Sequence, residues 1–381
     1  MTGFLAHRPV HVVGIGMHPY QFPTETPYIT LGLTALRAAL DDAGLTWPDI
    51  QAAMIGTGAI GMAAGRVMLR HMGSTGLEVM QVENASASGS SAFRMACMQV
   101  ASGERDVVLA LGVDKFGGAQ RAANKDGLAR LTPTAEIPSV KFALMTRAWR
   151  DQYGVTPEDM ARVAVKNHGN ASRNPYAQFR KPRTLEQVLG SSKVAGDLTA
   201  LQCCPRGEGA AAVIVASEEG IARLKLDRSR AIRVIASTSS SEHAVPEEAW
   251  SLVEMVQRSG LETLRQAGIG MEDLDIVELH DAFTIEEIVY AEALGLCPRG
   301  DGAARLRDGA WEIGGRCAVN PSGGLIGMGH PIGPTGIGQV AEIVRQLRGE
   351  ATGRQQPGAR TAMAHMIGLG SVAVGHVLRR D

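Results

Sequence analysis

At 381 residues the chain is long enough to bury one large core or two medium ones. Its Lys and Arg residues are scattered and its formal charge is −1, which argues against nucleic acid or an anionic membrane as the main partner. Glycine is abundant, at 46 residues, yet follows no period and forms no low-complexity run, so collagen-like and linker readings fail.

The opening run "MTGFLAHRPVHVVGIG" enters an apolar strand at once, so no signal peptide is expected. No apolar run reaches the roughly 18 residues that a membrane span needs. Five cysteines without a C-x-x-C pair fit a reducing cytoplasm and no structural zinc. After the first strand an amphipathic helix ends at Ala43-Gly44, where Gly44 suits a left-handed cap. The stretch "AGLTWPDIQAAMIG" (43–56) then carries a short connection with Asp49 into an apolar strand. A short apolar segment (Leu77, Val79, Met80, Val82) leads to the small-residue turn in "QVENASASGSSAF" (81–93), which opens a helix. The buried strand "DVVLALGV" (106–113) follows. Such a strand–turn–helix unit can hold a nucleophile, and the most reactive side chain in this turn is Ser86. A serine beside a helix start also serves as an N-cap, a role equally open to Ser88, Ser90 and Ser91.

The region at about 116–199 is rich in charge, Asn, Pro and Arg, with a helix expected at "PEDMARVAVKNHGNAS". It reads as an insertion folded over one face, where substrate-covering loops sit. Its cluster Arg180, Lys181 and Arg183 is either a solvated loop or a contact for a phosphate-bearing ligand. The vicinal Cys203–Cys204, beside Pro205 in a turn, reads as buried packing. "GAAAVIVAS" (209–217) returns to a buried strand and closes the first half.

The second half repeats the order. "AGIGMEDLDIVELH" (267–280) lies over 43–56, with Gly268 and Asp273 matching Gly44 and Asp49. "GHPIGPTGIGQVAEIVRQLRG" is a glycine-rich loop opening a helix, and "ARTAMAHMIGLG" (359–370) supplies the next strand. Each half reads β-α-β-α-β with strands nearly continuous in apolar residues. The prediction is an α/β protein of two duplicated halves, residues 1–231 and 232–381, with helices between and outside the sheets.

A pseudo-twofold axis would bring four loops together: those around Ser86, His280, His330 and Met366–Gly368. His280 ends a strand, where α/β ligand sites lie, although a histidine there also serves as a structural hydrogen-bonding residue. His330 sits in a glycine- and proline-dense loop at a helix start, where the dipole disfavours imidazolium and favours a neutral base. His280, His330 and His365 lack short ligand spacing, so no metal is expected.

In "VVGIGMHPY", "ENASASGSSAF", "NPYAQFR", "CCPRGEGAAAVIVAS", "ELHDAFT", "NPSGGLIGMGHPIGPTGIGQ" and "HMIGLGSVAVGHVL" the chain resembles the thiolase superfamily, over essentially its whole length. The likeness is to the lipid-transfer or sterol-carrier-type thiolases in particular. It implies the thiolase fold, two β-α-β-α-β halves in five layers with an inserted loop domain over the site, and a homodimer that binds coenzyme A thioesters. In such thiolases a cysteine stands at the position of Ser86, and a second at that of Ala282 or of Met366. All three positions lack a thiol here, so ordinary thiolysis is not expected, because a serine gains far less from a helix terminus than a cysteine does. The resemblance implies that His280 and His330 hold the thioester oxygen, and that the backbone N–H groups of Ser86 and Gly368 form a second oxyanion site.

A reaction needing an enolate but no thiol is retro-aldol cleavage of a β-hydroxyacyl-CoA, on a steroid or other branched side chain, to a ketone or aldehyde plus acetyl- or propionyl-CoA. The alternatives are a Ser86–His330 acyltransferase and a non-catalytic acyl-CoA or lipid-binding scaffold. Coenzyme A enters as part of the substrate, with Arg180, Lys181 and Arg183 as candidates for its phosphates. No tightly bound cofactor is expected, and zinc belongs only to a possible partner built from a zinc ribbon and an oligonucleotide-binding-type barrel. The chain ends near the last strand, so no appended sterol-binding domain is expected.

Overall fold

The computed structural model describes residues 3–115, 137–244, 250–369 and 372–381. The part of the expected loop domain at 116–136 lies outside them. Twelve strands are described. Ten of them, β1 (Val10–Gln21), β2 (Ala52–Gly56), β3 (Glu78–Val82), β4 (Val107–Asp114), β7 (Glu208–Ser217), β8 (Ile232–Ser241), β9 (Ile276–Leu279), β10 (Ala318–Val319), β11 (Thr361–Gly368) and β12 (Val372–Arg379), form one sheet. Their order is β10-β9-β11-β12-β8-β1-β7-β4-β2-β3.

That order is the duplication made visible. From one end, β3, β2 and β4 are parallel and β7 and β1 follow antiparallel. From the other end, β10, β9 and β11 are parallel and β12 and β8 follow antiparallel. The two five-strand sets meet edge to edge through a three-pair ladder, Val10↔Val234 to Val12↔Ile232. The sheets are therefore joined where the sequence suggested two separate ones.

Side chains alternate across each strand, so the central strands feed two cores. In β4, Val107, Leu109 and Leu111 face the helix Tyr28–Ala43, in one core with its Leu31 and Leu36. Val108 and Ala110 face a middle core built from the helices Ser88–Ala101 and Thr335–Arg348, with Phe93, Ile337 and Val344. In β11, Ala362 and Ala364 face that same middle core, while Met363 and Ile367 face the helices Ser251–Ala267 and Thr284–Leu294. Helix, sheet, helix pair, sheet, helix gives the five layers of the thiolase fold. Gly44 and Gly268 both end their helices in the left-handed region, at φ 67° and 71°. Asp49 and Asp273 each accept a backbone N–H three residues upstream in the matched connections.

The expected helix at Pro157–Ser172 is present, capped by Thr156 and Asp159. Three further elements in the inserted region carry no sequence expectation: a helix Pro138–Tyr153, a short helix Leu185–Leu189 and a small hairpin of β5 (Lys193–Ala195) and β6 (Leu198–Thr199). The charge of "PSVKFALMTRAWRDQY" hides a helical stripe, since Phe142, Met145, Thr146 and Trp149 are buried at helical spacing. Among the described residues, no helix is long and apolar enough to cross a membrane.

Candidate active site

The parallel strands end on one side of the molecule, and the loops leaving β3, β9 and β11 meet there around a cavity of about 430 Å³. Ser86, His280, His330 and Gly368 all line it, as the duplication suggested. Ile367 and Gly368 form the wall where β11 ends, while Met366 is fully buried in the core behind it.

The turn before Ser86 is held by its neighbours. Ala85 takes a left-handed φ of 48°, which is strained for a residue with a side chain. The Ser88 hydroxyl donates to the Ala85 carbonyl at 2.6 Å and accepts the Asn84 N–H at 2.9 Å, and Asn84 Nδ2 donates to Ser91 Oγ at 2.8 Å. Ser88 and Ser91 thus fasten the turn, and Ser86 is not a cap. Its Oγ lies 2.9 Å from His330 Nε2 instead. Gly368 packs on the same turn so closely that a Cβ there would sit 2.3 Å from the Asn84 carbonyl oxygen. Only glycine brings those two backbone segments together.

The hydrogen bonds fix the tautomer of His330. Thr335 Oγ1 donates to the Pro331 carbonyl at 2.5 Å, so it accepts from His330 Nδ1–H at 2.9 Å. Nε2 therefore carries the lone pair and accepts the Ser86 hydroxyl proton. Burial first, then the neighbouring His280, pulls the His330 pKa down to about 3. The ring is neutral, as the sequence suggested, but for another reason: the helix begins only at Thr335, and burial outweighs its dipole.

His280 stands across the cavity, with ring centroids 5.5 Å apart at 88°. Its Nδ1 meets Glu286 Oε1 at 3.0 Å, while Glu286 Oε2 accepts the Phe283 N–H at 2.8 Å. Nε2 is left for the cavity. Behind it, buried Asp281 accepts Leu325 N–H at 2.6 Å and Asn167 Nδ2 at 2.8 Å. Asn167 and Asn320 also donate to Glu287, which pairs with Lys166 at 3.1 Å. This network ties the Pro157–Ser172 helix to both histidine loops. Asp114 accepts N–H groups from Gly58, Ala59 and Gly333, and burial holds its pKa up at about 6.

Phe142 from the inserted region stacks on Phe283 at 4.8 Å and 26°, and Leu252, Ile332 and Leu369 continue an apolar wall. Arg180, Lys181 and Arg183 do not line the cavity, and Arg180 is tied to the Ala177 and Pro175 carbonyls. The basic residues of the lining are Lys141 and Arg206. Cys204 lines it too, so the pair Cys203–Cys204 is not simply buried packing. Glu286, Thr335 and Cys204 are site residues that the sequence reading missed. The first two sit six and five residues past their histidines, and that spacing was the available signal.

A twofold-repeated fold with paired histidines facing a small-residue turn is the architecture of a thiolase-like protein. Sequence profiles agree: "Thiolase, N-terminal domain" matches residues 12–188 and "Thiolase C-terminal domain-like" matches 236–380. The chain is 37% identical to sterol carrier protein 2 of Gallus gallus, over 97% of this chain and 71% of that protein. It is 38% identical to the benzoylsuccinyl-CoA thiolase subunit BbsB of Thauera aromatica, over 95% of each. A solved structure titled "Ltp2-ChsH2(DUF35) aldolase" superposes with a TM-score of 0.86 at 26% identity, over 98% of each chain. The chain belongs to the thiolase family.

Proposed function

We propose that this protein cleaves a β-hydroxyacyl-CoA by a retro-aldol reaction, giving a ketone or aldehyde and a shorter acyl-CoA. The observation that carries the proposal is that two histidines face one cavity whose turn presents Ser86, with Ala282 in its wall and Met366 behind it. The groups that stabilise an enolate are kept where the acyl-accepting thiol is not. In this reading the β-hydroxyl occupies the place of the Ser86 hydroxyl and gives its proton to His330 Nε2. An imidazole whose charged form is disfavoured by burial accepts that proton only as negative charge grows beside it. The Cα–Cβ bond breaks, its electron pair forms the thioester enolate, and the β-carbon leaves as a carbonyl. His280, oriented by Glu286, faces the enolate oxygen with Nε2, and the backbone N–H groups of Ser86 and Gly368 form the second oxyanion site. Such preorganised donors are worth about 100–1000-fold each.

The likeness to a solved aldolase supports this reading. The apolar wall suits a bulky acyl group of branched or steroid type, and Lys141 and Arg206 at the cavity suit the phosphates of coenzyme A. That aldolase's title names a second component and the Thauera relative is named a subunit, which supports a partner subunit here, and we propose that it is a small zinc-ribbon and barrel protein. We divide the halves between residues 231 and 232, since β8 begins at Ile232. We also propose a homodimer, paired through the exposed edge strand β3.

The chain Ser86–His330–Thr335 favours a second reading, serine-based acyl transfer. One experiment separates them. The protein, alone and with its candidate partner, is incubated with branched β-hydroxyacyl-CoAs and, separately, with β-ketoacyl-CoAs plus free coenzyme A. Ketone release without free coenzyme A supports the aldolase. Chain shortening only with free coenzyme A, with an acyl mass on Ser86, overturns it.

A further inference from the structure

The three positions where a thiolase keeps its thiols are empty, yet a thiol lines the cavity from a neighbouring loop. The segment at Cys203–Cys204 runs beside the loop His280–Phe283. The Cys204 N–H donates to the Ala282 carbonyl at 2.8 Å, and Cys203 makes a single antiparallel bridge to Phe283. Cys203 has an extended backbone, at φ −123° and ψ 145°, so consecutive side chains point opposite ways. Cys203 Sγ donates to the Thr199 carbonyl at 3.3 Å, away from the cavity. Cys204 faces the other way and lines the cavity with Ala282, Glu286, His280 and Ser86. Among the lining residues it is the one thiol, since Cys97, Cys297 and Cys317 are buried elsewhere.

We propose that Cys204 is the catalytic proton donor to the α-carbon of the bound acyl-CoA, delivering from the adjacent loop the thiol that Ala282 does not carry. The proposal rests on the retro-aldol reading above and completes it, because that reading leaves an enolate to be protonated. Burial first, then the carboxylates Glu286 and Asp281 and the neighbouring Cys203, raise the Cys204 pKa far above its usual value. The thiol therefore stays protonated at neutral pH. It acts as an acid and does not accept an acyl group.

The step balances. The β-hydroxyl proton moves to His330 Nε2, the Cα–Cβ bond breaks, and its electron pair forms the enolate. The S–H bond of Cys204 then breaks, its proton bonds to Cα, and the thioester carbonyl re-forms. A thiolate and an imidazolium remain, and proton return from His330 through solvent, once the ketone has left, restores both. The net change moves one proton from the hydroxyl to Cα.

The test runs the cleavage in deuterium oxide on a β-hydroxyacyl-CoA with an α-methyl group, and reads both the rate and the configuration of the α-deuterated propionyl-CoA. The wild-type protein is expected to give a single α-epimer. Cys204→Ala is expected to release ketone ~100-fold more slowly or worse, with both epimers formed, because solvent then reaches the enolate from either face. Cys204→Ser keeps the volume and guards against a misfolded variant; it is expected to lose rate as Ala does while keeping the wild-type melting temperature. Cys203→Ala is expected to keep both rate and epimer. A Cys204→Ala variant with wild-type rate and a single epimer overturns the role of Cys204 and leaves the retro-aldol reading standing. A wild-type protein that releases no ketone overturns that reading and this proposal together.

Discussion

Ser86 and His330 make one hydrogen-bonded unit, yet the two readings of the site ask different things of them. In retro-aldol cleavage the serine hydroxyl marks where the substrate's hydroxyl goes, so Ser86→Ala removes no reacting atom. Its ketone release is expected to stay within about tenfold of wild type, whereas His330→Ala is expected to lose ~100–10,000-fold. If Ser86→Ala falls as far as His330→Ala, the serine is a nucleophile and acyl transfer is the better account. Thr335 tests the tautomer separately. It accepts from His330 Nδ1 and donates to Pro331, so the ring has a fixed direction only while its hydroxyl is present. Thr335→Val is expected to lower kcat by about tenfold or more with KM little changed, because the substrate does not touch the hydroxyl. Steady-state kinetics on the same β-hydroxyacyl-CoA decides it.

At the scale of elements, the Pro157–Ser172 helix decides whether the histidine loops keep their shape. Lys166 and Asn167 reach from it to Glu287, Asp281 and the Val319 carbonyl, all buried. Lys166→Met removes the ion-pair partner of buried Glu287, and breaking a buried pair from one side costs about 3–5 kcal/mol. Urea unfolding followed by circular dichroism is expected to show a midpoint lowered accordingly. An unchanged midpoint would mean that the asparagines alone satisfy the carboxylate.

The same element shows what the sequence made legible. Thr156-Pro157 and Asp159 announce its start, and its period is plain. The duplication and the meeting of the loops around Ser86, His280, His330 and Met366–Gly368 followed from apolar runs and matched turns, whereas the single ten-strand order did not. Those signals are local. Pairings across the chain left no such mark: the Cys204–Ala282 bond joins residues 78 apart by number. Helix Pro138–Tyr153 was hidden differently, because its exposed face is charged and exposes Val140 and Leu144 as well, which blurs the period.

For the whole molecule, the two ends of the ten-strand sheet differ. One is the two-residue β10, fully buried, and the other is β3, whose Met80 is 37% exposed beside exposed Met62 and Val67. An unpaired apolar edge of this kind is a template for a second chain. Light scattering is expected to give the mass of two copies, and Met80→Lys the mass of one. A wild-type protein that runs as a single copy sinks the pairing.

Acid stability belongs to the same scale. His11, His168 and His365 are pulled down to about 4 and His330 and His376 to about 3, burial being the first cause in each. A folded pKa below the unfolded value means that the unfolded chain binds more protons between about pH 6.5 and 4. Each such group therefore takes stability away as pH falls through that window. Four buried carboxyls act in the opposite sense, since the folded state holds their protons longer: Asp114, raised to about 6, Glu278, raised to about 8, and Asp281 and Glu292, also raised with burial the first cause. The five histidines outnumber them, so the unfolding midpoint is expected to fall from pH 6.5 towards 4. His376 isolates one contribution: it is fully buried, bonded to Ser237 and stacked edge-on to Phe93, and does not line the cavity. His376→Gln removes one linked proton. Whatever its stability at neutral pH, its free energy of unfolding should decline less steeply than that of wild type, by about 1.4 kcal/mol per pH unit near pH 5. Parallel curves from denaturant titrations at pH 7, 6, 5 and 4.5 would show that His376 takes up no proton on unfolding, and that its neutral burial is not what acid works against.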